Sequence, residues 1–154
     1  MVKKLLTIGL ILASVGMILF FSRMMHQREA VPSIGRSECL IRNSACYAVV
    51  DSVGQISLQI EPANLPVMQS LMLTVKVPVK TVDAVSLQFV GQDMDMGLQP
   101  VTLTRNPEVS DLWQGEGVIS LCTVNPDMSW LARVKVMVSG KPHIVEFLLG
   151  PAIH

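Results

Sequence analysis

The chain has 154 residues, with 12 Lys and Arg against 12 Asp and Glu, a formal charge of zero, 50% hydrophobic residues and 16% charged ones. Such a balance offers no basic surface able to neutralise several phosphates, which excludes nucleic acid as a partner, and the apolar content excludes a disordered chain. With an N-terminal targeting segment set aside, ~110–120 residues remain, the size of one domain with one core.

The chain opens MVKKLLTIGLILASVGMILFFSRMMHQREA, with Lys3 and Lys4 ahead of an uncharged, mainly apolar run over residues 5–21. That run is about 17 residues, or about 26 Å as a helix, longer than the ~7–15 residues of a cleavable signal core and just long enough to span a bilayer. The flank FFSRMMHQ is bulky and basic rather than small, so residues 1–31 are read as an uncleaved transmembrane helix and its flank; removal near Ala30 is the alternative. The expected location is the bacterial inner membrane, single-pass, with the C-terminal domain in the periplasm. Residues 32–45 are polar and aperiodic and read as a stalk, leaving residues 46–154 as the globular domain.

Short alternating runs then follow with turn residues between them: CYAVVDSV, QISLQIEP, LMLTVKVP, DAVSLQFV, PVTLTRN, LWQGEGVISL, WLARVKVMVSG and HIVEFLLG. Period-two patterning without helical stretches predicts an all-β domain, an antiparallel immunoglobulin-like β-sandwich of about 7–8 strands. Alternation points Ile56, Leu58 and Ile60 inward, and likewise Val85, Leu87 and Phe89. Continuing the second register puts Met94 and Met96 on the outer face, unless a bulge at Gly91 turns them in.

Consecutive antiparallel strands reverse direction, so loops fall alternately at the two ends. That parity gathers Cys39, Cys46, Cys122, Met68, Met94, Met96, Met128 and His154 at one end. The stalk is expected at the same end, facing the membrane.

The stretch GQDMDMG, residues 91–97, is the unusual passage there. Copper(I) is soft and favours thioether and thiolate sulfur, and thioethers remain donors at every pH. Met94 and Met96, two apart on an extended segment, could share one ion, with Met128 and a Cys122 thiolate completing the set. The competing readings are loop-end packing and a partner contact, since methionine is also an adaptable core filler. Asp93 and Asp95 lack further oxygen ligands at calcium-loop spacing and read as turn or partner-contact residues. Trp130, with Trp113, is a partner contact or a core residue.

Three cysteines leave one over after a single disulfide, with Cys39, Cys46 and Cys122 all candidates and a slight preference for Cys46–Cys122. His26, His143 and His154 have no nucleophile or carboxylate beside them in sequence, and no phosphate loop or zinc spacing occurs, so an enzyme is not expected.

Taken together, the anchor, the Cys-x6-Cys pair (Cys39, Cys46), Gly-x-Asp-Met-x-Met-Gly (Gly91, Asp93, Met94, Met96, Gly97) and Leu-Cys with Pro-x-Met-x-Trp (Leu121, Cys122, Pro126, Met128, Trp130) resemble a group of small proteobacterial membrane-anchored periplasmic proteins. Those proteins are often encoded near Sco-type copper chaperones and are distantly similar to YtkA-like domains. The resemblance covers roughly residues 39–147. It implies an accessory role in copper(I) handling or respiratory oxidase assembly, with a copper chaperone or oxidase assembly protein as partner. The alternative is a metal-free interaction module of an envelope complex, without cofactor.

Overall fold

The computed structural model describes residues 16–17, 34–38, 45–95, 97–125 and 127–151. Residues Pro32–His154 form one compact unit. Among the described residues no helix is long and apolar enough to cross a membrane; the expected anchor over residues 5–21 lies outside them apart from Gly16 and Met17.

The unit is all-β, and its described residues form nine strands: β1 (Ile34–Glu38), β2 (Cys46–Val50), β3 (Gly54–Glu61), β4 (Ser70–Lys76), β5 (Val82–Gly91), β6 (Val101–Arg105), β7 (Leu112–Val118), β8 (Ser129–Val138) and β9 (Lys141–Pro151). The eight alternating runs of the sequence are β2 to β9. Alternation also sorts their side chains correctly: Ile56, Leu58, Ile60, Val85, Leu87 and Phe89 are all buried. Each such side chain contributes about 1.5–3 kcal/mol on leaving water.

The strands follow the order β1-β9-β8-β5-β6-β7-β4-β3-β2 in one sheet. Separate sheets, as expected of a simple sandwich, are not formed, because β6 belongs to both halves. Its Val101 and Leu103 pair with Leu87 and Val85 of β5, and its Thr104 and Arg105 pair with Gln114 and Trp113 of β7. The sheet folds over at β6 and encloses a single core, in which Phe89 from one half and Leu73 from the other both press on Gly117. A β-carbon at Gly117 would stand 3.0 Å from each of them, so the glycine leaves room for both.

The two free edges nearly meet. Gly35 of β1 faces the carbonyl of Val49 and the side chain of Val50 in β2, and Ser37 Oγ donates to the Tyr47 carbonyl at 2.8 Å.

β1 falls within residues 32–45, which read as stalk. It pairs parallel to β9, with Ile34 opposite Ile144 and Glu38 opposite Leu148. This strand corrects the expected placement of the stalk. The antiparallel ladders put the ends of β3, β5, β7 and β9 together with the starts of β2, β4, β6 and β8, as parity requires. Ile34 lies at the opposite end, beside the turns around Ser52, Lys80, Asn106 and Ser139. The chain therefore enters the domain at the end remote from the methionine-bearing loops. An edge strand adds one reversal of direction that the eight-strand count lacked.

Candidate functional site

Among the described residues three loops form the remote end: residues 62–69, 92–100 and 119–128. Backbone hydrogen bonds knit them together. The Met68 N–H donates to the Ile119 carbonyl at 2.9 Å, and the Gln92 N–H to the Ser129 carbonyl at 2.9 Å, prolonging the β5–β8 ladder by one step. Gln88 Nε2 donates to the Leu98 carbonyl at 2.7 Å and folds the middle loop back on β5.

The geometry of GQDMDMG is that of a turn. Asp95 Oδ1 accepts from the Gly97 N–H at 2.8 Å, an Asx arrangement, and Gly97 sits at φ 64°, where glycine is favoured. A β-carbon at Gly91 would lie 2.6 Å from both Sδ and Cε of Met128 and would overlap the carbonyl oxygen of Met94. The first glycine is needed for close approach and the last for its dihedral. Alternation does not run on to Met94, because β5 ends at Gly91 and residues 92–100 form the loop; no bulge intervenes at Gly91.

The four expected copper donors are dispersed in character. Met94 is 46% exposed, whereas Met128 is 2% exposed and Cys122 is a free, buried thiol. Met96 lies outside the described residues. Around Gly91 it is the backbone carbonyl of Met94 that comes close, on the space Met128 also fills. Among the described residues no group of three or more His, Cys, Asp or Glu is gathered as a metal cage.

The cysteines separate likewise. Cys46, at the start of β2, is fully buried and disulfide-bonded. Because Cys122 is free, the preferred Cys46–Cys122 staple is not formed. Cys39 and His154 lie outside the described residues.

Of the expected partner contacts, Asp93 and Asp95 are exposed, but Trp130 is buried and packs in the core. Its register explains the correction: Trp130 alternates with Ala132, Val134 and Val136, all inward on β8. Trp113 is buried as well, with the Arg105 guanidinium 4.7 Å above its ring.

Other residues supply exposed apolar surface here. Met68 is 68% exposed and Val124 79%, with Val118 and Leu121 also exposed. Met68 and Val124 stand outside the alternating runs, whereas Val118 and Leu121 close the run LWQGEGVISL, where alternation alone does not mark them as exposed. Met68 is further distinguished by its backbone, at φ 57°. A left-handed conformation costs a non-glycine residue about 1–2 kcal/mol. Leu65 in the same loop, at φ 50°, offsets that cost by burying its side chain; Met68 does not.

No family model matches the chain, and no curated protein matches it. Among solved structures it is similar to a DUF4785 family protein from Legionella pneumophila subsp. pneumophila str. Philadelphia 1, at 13% identity and a TM-score of 0.45. The likeness covers 66% of this chain and 29% of that one, so the chain spans under a third of its length.

Proposed function

We propose that this protein is an interaction module of an envelope complex, tethered to the membrane by its N-terminal segment and contacting its partner through the three-loop end. The observation that carries this reading is the set of apolar side chains that these loops leave uncovered. Met128 and Cys122 are withdrawn into the core, while Met68, Met94, Leu121 and Val124 stand in solvent. Loop-borne apolar side chains on a rigid sheet are a common form of recognition surface, and methionine adapts to partners of varied shape.

Supporting a periplasmic location are the apolar run over residues 5–21 and the disulfide state of Cys46, which suits an oxidising space. The resemblance to proteins encoded near copper chaperones supports oxidase assembly as the setting. The fold is read here as an immunoglobulin-like sandwich whose halves are joined through β6. A copper(I) role is the second reading, favoured by the exposure of both Met68 and Met94 at one end.

Replacing Leu121 and Val124 together by Ser tests the proposal, because both are exposed and the core is untouched. The full chain, extracted from membranes under mild conditions, should migrate on native gels in an assembly larger than itself, and the double variant should migrate as free protein with an unchanged melting temperature. Equal migration of the two would refute the contact.

A further inference from the structure

Among the described residues the three loops are one-sided in charge as well as apolar. Glu61, Asp93, Asp95 and Asp127 lie on or beside its loops and are all exposed, and the described residues of these loops include no Lys or Arg. The opposite end is mixed instead, with Lys76, Lys80, Arg105 and Lys141 among Asp51, Asp83, Glu108 and Asp111. Four exposed carboxylates and, among the described loop residues, no base therefore stand at the end that carries Met68, Leu121 and Val124. Such a pattern selects a partner that is apolar where it touches Met68, Leu121 and Val124 and cationic at the rim.

We infer that the partner presents an apolar segment flanked by Lys or Arg. This rests on the interaction reading above and adds the chemistry of what is bound. A second copy of the same end would bring carboxylate against carboxylate. A bilayer rich in anionic lipid would repel the same rim.

The test measures binding of two fluorescent synthetic peptides to the full-length chain by anisotropy. They share one leucine pattern and carry Lys or Glu at the polar positions. The Lys peptide should bind at least about tenfold more tightly than the Glu peptide, and 1 M salt, where the screening length is ~3 Å, should erase most of the difference. Val124→Ser and Met68→Gly should each weaken the Lys peptide, and Met68→Gly should do so without lowering the melting temperature.

Equal or tighter binding of the Glu peptide, if sensitive to Val124→Ser, would overturn the charge inference and leave the docking end standing. Failure of both peptides to bind, or binding indifferent to both substitutions, would overturn the inference. The native-gel comparison then decides the broader reading separately. Concentration-dependent self-association, or sedimentation with phosphatidylglycerol vesicles, if lost in Val124→Ser, would assign the end to a second copy or to lipid and also overturn it.

Discussion

The thioether of Met128 occupies the space that a side chain on Gly91 would need, 2.6 Å from where its β-carbon would stand. This contact ties the start of the methionine loop to the start of β8. Gly91→Ala must displace either a buried side chain or the Met94 carbonyl, so it should destabilise the domain by about 1–3 kcal/mol, as overpacking does. Gly97→Ala meets open space but keeps the unfavourable φ, and should cost about 1 kcal/mol. Denaturant unfolding of the two variants checks the order. Met128→Ala should cost less in the Gly91→Ala background than alone, because there it also relieves crowding, while the clash with the Met94 carbonyl remains.

The cysteines should react unequally. Cys122, free and buried, should resist an aromatic disulfide reagent in the native protein and react on unfolding in denaturant. Non-reducing peptide mapping should find Cys46 joined to Cys39. The near-meeting of β1 and β2 at Gly35 and Ser37 brings the end of one strand toward the start of the other. Recovery of a peptide linking Cys46 to Cys122 would contradict this.

Copper(I) should bind weakly. With Met128 and Cys122 enclosed, Met94 is the exposed donor among the described members of the expected set. A titration of the full chain under reducing conditions against a competing chelator should reveal no site tighter than ~1 μM, equivalent to about 8 kcal/mol of binding. A tighter site, abolished by replacing Met94 and Met96 with Leu, would restore the metal reading.

Removing Arg133 should weaken the outer face of the β8–β9 pair. Its Nε and Nη2 both donate to Oε1 of the buried Glu146, at 3.0 and 2.9 Å. Arg133→Ala should therefore destabilise by about 1–2 kcal/mol, a value held down because the Arg133 side chain is 36% exposed. Denaturant unfolding measures it, with Lys135→Ala on the same strand as the near-neutral comparison.

Strands β2 to β9 were legible because their alternation is driven by burial, and Ile56, Leu58 and Ile60 carry that signal in three consecutive inward positions. Strand β1 was not. IGRSE joins the edge of the sheet through its backbone beside β9, so nothing in its side chains spells a strand. The omission reversed the end at which the chain enters. Within the candidate site, parity grouped the right loops, but composition cannot distinguish an enclosed methionine from an exposed one. Met128 turns inward because Gly91 vacates the space it fills, and Met68 turns outward from a backbone conformation that no pattern of apolar residues encodes.

The most direct measurement of the central claim uses a photo-crosslinking amino acid at Val124 and, separately, at Val109 in living cells. Both positions are exposed and apolar, at 79% and 44%, and they occupy opposite ends of the domain. The account predicts a discrete adduct from position 124, lost when Met68→Gly is added, and none from position 109. Adducts of equal yield from both positions, or from position 109 alone, would contradict it.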